Sequence, residues 1–527
     1  MINHAQTMGT TPSTHDYVIV GAGSAGCALA HRLSADAGTD VLLLEAGAPD
    51  DKEEVHIPAM FPHLFKSEVD WDYYTEPQPE LNDRELYWPR GKTMGGSSSI
   101  NAMIYIRGVP HDYDTWAERG NEGWSYDAML EYFKRAEHFE PADGDLDYHG
   151  TDGPLNVADP VDLHPASGQL VEAATEVGHP RNDDFNGAQQ EGVGHYHLTQ
   201  KDGQRCSAAK AFITPILDRD NLTAETNAQV TEIRFEGDRA VGVTYEQDGE
   251  THQADAATEV IVSAGAVNSP QLLMLSGIGP TDHLTDHSIK VQADLPGVGK
   301  NLQDHLFAFV VHERTSGPAD PSPSTNIGEA GGFTYVDDNA PAPDLQYHFA
   351  PVYFMQHGLA NPEEGVGFSI GATQLRPESR GEITLGSTDP FDHPVIDPNY
   401  LTEEKDMEVM VEGVRRAREI AQADAMDEYR GEEIWPGEDA QTDAEIREHI
   451  RETAHTVYHP VGTCKMGDDE MAVVDDSLRV HGVENLRVVD ASIMPTLTGG
   501  NTNAPTIAIA EKGADMIPTA VSTLSDD

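Results

Sequence analysis

Apolar residues fall in short solid runs near both ends of the chain and alternate with polar residues through much of its middle. Tyr17–Val20 is an apolar run, Cys27–Leu33 carries small apolar residues at helical spacing, and Val41–Leu44 is apolar again. Strand, helix and strand in that order predict a βαβ unit over about 16–46. Ile57–Trp88 is rich in Pro and aromatic residues and reads as loops and short helices. Helical segments are expected near 111–139, followed by a loop-rich stretch to about 205. Asn227–Glu236, Ala240–Glu246 and Glu259–Ser263 read as strands joined by Gly/Asp turns. Residues 306–400 alternate apolar and polar positions between turns and predict an antiparallel sheet. Residues 403–454 carry helical periodicity with acidic faces. Leu486–Val489, Asp490-Ala491-Ser492 and a helix after Pro505 repeat the strand–turn–helix theme. This order predicts an α/β fold. Its first and last segments complete one nucleotide domain, and the middle forms a substrate domain.

The junctions carry the chemistry. Gly21-Ala22-Gly23-Ser24-Ala25-Gly26 lies between the first strand and helix, and Glu45 ends the second strand about 20 residues on. Gly21 makes the tight turn, Gly23 admits a pyrophosphate against the backbone, and Gly26 lets helix and strand pack closely. Ser24 sits where the free N–H groups of the helix N-terminus meet phosphate. Glu45 accepts hydrogen bonds from a ribose diol and repels a 2′-phosphate, so the fingerprint reads as NAD or FAD and not NADP. A second cluster, Gly95-Gly96-Ser97-Ser98 running to Asn101, supplies backbone N–H groups and hydroxyls for another face of the pyrophosphate or for a flavin ring. Val260–Ser263 enters Ala264-Gly265-Ala266, another strand-to-helix junction.

Near the C-terminus stand Tyr458-His459-Pro460 and Gly499-Gly500-Asn501-Thr502-Asn503-Ala504-Pro505. Alcohol oxidation needs a group that takes the hydroxyl proton and a sink for the hydride. Histidine suits the proton step, and an amide can hold the same oxygen. His459 with Asn503 is the expected pair, facing flavin N5.

The 527 residues include 33 basic and 91 acidic ones, a net charge of −58. Such a balance excludes nucleic-acid binding. It points to adaptation to high salt, where a carboxylate surface holds hydration and salt screens self-repulsion. An acidic patch for a cationic partner is the alternative. Cys27, Cys206 and Cys464 are far apart, so neither a disulfide framework nor a metal site follows. Neither a signal peptide nor an apolar stretch of membrane-spanning length is visible. A salt-rich cytoplasm is the expected location.

Over about 15–515 these motifs together resemble the glucose–methanol–choline (GMC) family of FAD-dependent oxidoreductases, in its choline-dehydrogenase-like branch. Gly265-Ala266-Val267-Asn268-Ser269-Pro270, Gly299-Lys300-Asn301-Leu302-Gln303-Asp304-His305 and Asn101–Gly108 add to the likeness. The resemblance implies an FAD-binding α/β domain in three pieces, 14–155, 206–310 and 455–520. An α+β substrate domain on a large antiparallel sheet then takes 156–205 and 311–454. It implies His459 as active-site histidine, Asn503 as its partner, Val230 at the adenine, and Ala264, Asp490, Ala491, Asn501 and Thr502 along the cofactor. His348 aligns with a histidine that helps bind alcohol. Ile100 stands where some relatives carry a flavin-linking histidine, so non-covalent FAD is expected. Phe307 replaces the glutamate that faces choline, so a neutral primary alcohol is favoured over choline. The partners implied are that alcohol and an electron acceptor such as oxygen or a quinone. A hydroxynitrile-lyase-like, non-redox activity and an NAD-linked dehydrogenase are the remaining alternatives.

Overall fold

The computed structural model describes residues 12–141, 144–318, 321–354 and 366–518. Two seven-stranded sheets organise the chain. In the first, Leu222–Glu225, Val41–Leu44, Ser13–Val20, the C-terminal half of Glu250–Val262 and Leu486–Val488 run parallel in that order. Tyr17–Val20 and Val41–Leu44 are buried on both faces, which is why they read as unbroken apolar runs. The N-terminal half of Glu250–Val262 turns antiparallel and pairs with Arg239–Gln247, which pairs with Gln229–Glu236.

Helix Ser24–Leu33 lies against this sheet. An added Cβ at Gly26 would come within 1.9 Å of the Gly21 carbonyl oxygen, so helix and turn meet at a distance only glycine allows. Helix Asn503–Met516 packs beside it. Glu511 of that helix, its side chain wholly enclosed, accepts from Arg32 Nε at 2.7 Å and from Arg135 Nε at 2.5 Å. These pairs tie the first and last helices to helix Tyr126–Ala136.

The second sheet has the order Arg430–Trp435, Leu306–Arg314, Gly367–Gln374, Leu345–Ala350, Ala330–Thr334 and Gly192–His195. His455–Thr456 also pairs with Leu306–Arg314. All its pairings are antiparallel, as the alternation over 306–400 predicts. Helix Glu404–Gln422 covers one face, and Gly413 permits its close approach to Leu345 and Ala372. The opposite face looks toward the first sheet.

Three elements differ from expectation. Helix Pro165–Glu176 lies within the stretch read as loop. Its buried Leu170, Val171, Ala173 and Ala174 have helical spacing, but His164, Pro165 and Gly168 mask it. Strand Arg430–Trp435 lies within the region read as helical. Its pairing with Leu306–Arg314, far away in sequence, sets its conformation. The strand expected at Glu259–Ser263 already begins at Glu250, because Arg239–Gln247 supplies a pairing partner for a polar segment.

Candidate active site

A continuous cavity of about 310 Å³ runs between the two sheets, from the first glycine turn to His459. Gly21, Gly23, Ser24, Glu45, Gly96, Ser97, Asn101, Val230, Ala264, Asp490, Ala491, Asn501, Thr502 and Asn503 line it, with His348, Phe307 and His459. Sequence positions drawn from most of the chain therefore converge on one space. Gly26 and Gly95 do not line it. Gly26 packs beneath the turn, and Gly95 holds a left-handed turn at φ +89° where a Cβ would strike Ser99. Both shape the backbone instead of touching a ligand.

The two glycine segments meet. A Cβ on Gly96 would lie 2.7 Å from Gly23 Cα, while one on Gly23 would meet nothing within 4 Å. Gly23 therefore opens onto the cavity, and no side chain caps the helix that follows. Its first N–H groups are free to face an anion. Glu45 accepts from Ala22 N at 2.9 Å and Gly47 N at 2.8 Å, and burial pushes its carboxyl up to about 7. Asp490 accepts from Gly265 N, Ser269 Oγ and Ser492 N, so its carboxylate fastens three turns at the cavity wall.

At the far end His459 is held on every side. Its backbone N–H donates to Asp304 Oδ1 at 2.7 Å. Tyr458 before it sits at φ +69°, a conformation costing on the order of 1–3 kcal/mol. Arg90 donates to the Tyr458 carbonyl at 2.5 Å, which helps fix this turn. His459 Nδ1 lies 2.9 Å from His305 Nδ1, and Nε2 lies 3.2 Å from Asn501 Nδ2. Burial, then the neighbouring His305, His348 and Arg90, hold His459 well below the usual imidazole range, so it is neutral.

The expected pairing of His459 with Asn503 is not the one the fold makes. Asn503 Oδ1 accepts from Ser24 Oγ at 2.7 Å, and the amide that reaches His459 belongs to Asn501. Asn503 is the first residue of helix Asn503–Met516, so its side chain points to the neighbouring helix start. Asn501 precedes the helix, after Gly500 at φ +144°. Asp304, His305 and Arg90 complete the setting of His459. Sequence reasoning took the first two only as part of a motif.

His348 donates or accepts at Nδ1 with Thr373 Oγ1, 3.1 Å away, and its Nε2 is buried without a partner among the described residues. Phe307 packs with Phe309 at 4.3 Å between ring centroids and with His348 at 6.2 Å. A Cβ on Gly371 would touch both phenylalanine rings, so this glycine makes their room.

The GMC oxidoreductase profile matches residues 15–307 and, in its C-terminal part, residues 377–510. The chain belongs to the GMC oxidoreductase family. It is 46% identical to an alcohol dehydrogenase (acceptor) of Pseudomonas putida over 97% of each chain. It is 45% identical to the mitochondrial choline dehydrogenase of Mus musculus, covering 95% of this chain and 89% of that one. The crystal structure of pyridoxine 4-oxidase from Mesorbium loti superimposes with a TM-score of 0.91, at 35% identity over 95% of this chain and 98% of the other. As a GMC oxidoreductase it is an FAD-dependent enzyme. The cavity fits that cofactor: a pyrophosphate cradle where Gly23 meets Gly96, an acidic residue ending the second strand, and a path onward to His459. Among the described residues no helix is long and apolar enough to cross a membrane.

Proposed function

We propose that this enzyme oxidises an apolar or aromatic primary alcohol to the aldehyde, with His459 as the general base. The carrying observation is the convergence of a neutral, buried imidazole and an amide N–H on one point of the cavity. The alcohol oxygen enters between His459 Nε2 and Asn501 Nδ2, which face each other at 3.2 Å before it binds, so that Nε2 accepts the hydroxyl proton and Asn501 donates to the alcohol oxygen instead of to the ring. His348 Nε2, without a partner among the described residues, supplies another contact for that oxygen. FAD, held non-covalently along Gly23, Gly96 and Asn501–Asn503, supplies the hydride acceptor when bound. Ile100 lines the cavity and has no group that could bond covalently to a flavin.

Phe61, Phe65, Phe307, Phe309 and Phe354 give the substrate end an apolar, aromatic lining. Among the described residues the carboxylates that line the cavity are Glu45 and Asp490, and both already bind backbone N–H groups. A trimethylammonium group would find ring faces there but no opposite charge. Choline is the second reading, favoured by the 45% identity to a choline dehydrogenase. The acidity of the chain fits a protein adapted to molar salt.

Anaerobic titration of the holoenzyme in molar KCl with benzyl alcohol, a short aliphatic alcohol, choline and glucose tests this. Benzyl alcohol is expected to bleach the flavin band at the lowest concentration, and His459→Ala to slow bleaching by about 100-fold or more. Bleaching by choline alone would move the assignment to the second reading. Bleaching by none of the four would overturn alcohol oxidation of this class.

A further inference from the structure

His305 is wholly buried beside His459 and takes no part in the proton transfer above. Its Nε2 lies 3.1 Å from the Leu375 carbonyl oxygen. A carbonyl only accepts, so Nε2 carries the hydrogen. Burial drives the ring down to about 3, so His305 is neutral and has one N–H. Its Nδ1 is therefore a lone pair, 2.9 Å from His459 Nδ1. His459 must donate that bond. The hydrogen of neutral His459 is then on Nδ1, and its lone pair is on Nε2.

A second path reaches the same atom from the other side. Tyr196 Oη lies 2.5 Å from the Tyr347 carbonyl oxygen and gives its one proton there. Its oxygen can then only accept, and Gln346 Nε2 donates to it at 3.1 Å. The other Gln346 hydrogen goes to Asn501 Oδ1 at 3.2 Å. With its oxygen so engaged, Asn501 turns its N–H toward His459 Nε2. An N–H facing Nε2 requires a lone pair there.

We propose that these two hydrogen-bonded arms, anchored on the Leu375 and Tyr347 carbonyls, lock His459 in the Nδ1–H tautomer, with His305 as the positioning residue. This rests on His459 being the proton acceptor. Either nitrogen of a neutral imidazole can carry the hydrogen, and the partner of the one nitrogen sets the state of the other. With the hydrogen on Nε2, His459 would present a donor to an alcohol hydroxyl and could not take its proton. A carbonyl within the substrate-side sheet, Tyr347, and one just past the end of its Gly367–Gln374 strand, Leu375, thus preset the base before any substrate arrives.

The test uses holoenzyme labelled with ¹⁵N-histidine, with the His459 signals assigned by their loss in His459→Gln. Wild type is expected to show the Nδ1–H form. His305→Leu is expected to shift His459 toward Nε2–H and to slow flavin reduction by about 100-fold or more. In His305→Asn the amide oxygen replaces the Nδ1 lone pair, and the rate is expected within about 10-fold of wild type, the scale of one imperfect hydrogen bond. If His305→Leu does not retain flavin, Gln346→Leu cuts the other arm and carries the same expectation. Nε2–H in wild type, or an unmoved tautomer in the arm variants, would overturn the proposal. A changed tautomer with an unchanged rate would uphold the lock and remove His459 as base, which separates the two failures.

Discussion

Asn501 and Asn503 are two positions apart and serve different ends. The first lies before the last helix and reaches His459, and the second opens the helix and reaches Ser24 beside the first glycine turn. Their replacement by alanine is expected to separate two properties. Asn501→Ala should slow flavin reduction by about 10-fold or more, since a charge-accumulating oxygen loses a donor, while flavin stays bound. Asn503→Ala should weaken flavin retention with a smaller change in the reduction rate of what remains bound. Stopped-flow reduction together with flavin release on dilution measures both, and the reverse pattern would return Asn503 to the side of the base.

The elements matter through their parity and register. Phe309 pairs with Gly371, and Gly371 with His348, so all three share one face of the sheet. Phe307, Thr373 and Gln346 form the next row on that face. A one-residue slip would turn the aromatic lining and His348 away from the cavity together. On the other side, helix Asp443–Thr453 is joined to the same strand by His449 Nε2, 3.1 Å from the Phe309 carbonyl oxygen. Burial pushes this ring down to about 4. The folded protein therefore keeps His449 neutral while the unfolded chain protonates it near 6.5. Between those values the unfolded state binds more protons, so this contribution to stability is present above about pH 6.5 and is lost as pH falls toward 4. It amounts to on the order of 3 kcal/mol. His449→Gln should flatten the fall in melting temperature over that window relative to wild type. Parallel curves for the two proteins would show that the helix does not depend on a neutral ring.

Across the whole molecule the net charge of −58 sets the condition under which the fold is stable. With 91 acidic residues against 33 basic ones, mutual repulsion opposes compaction at low ionic strength. The Debye length falls from about 10 Å at 0.1 M to about 3 Å at 1 M salt. Melting temperature is expected to rise by at least about 5 °C between 0.1 M and 3 M KCl. A flat profile by calorimetry would assign the acidity to partner recognition instead.

The sequence by itself determined what local chemistry decides. A turn that needs Gly21 at positive φ, a helix that needs Gly26 to sit on that turn, and strands buried on both faces are each written within a few residues. The antiparallel strand Leu345–Ala350 is likewise written in the alternation of Leu345, Tyr347 and Phe349 with Gln346 and His348, whereas Leu306–Val311 is an unbroken apolar run, and the two glycine clusters are visible as cofactor cradles. Tertiary structure alone decided which of two near-identical amides meets His459, because that depends on where the last helix begins against another helix. It alone made strand Arg430–Trp435 from a segment of helical pattern, by offering a free sheet edge. His305 and His459 lie 154 positions apart, and no spacing rule links them. Their contact follows from the pairing of His455–Thr456 with Leu306–Arg314 in the second sheet, beside the cavity, where burial removes charge and leaves hydrogen-bond direction to fix the chemistry.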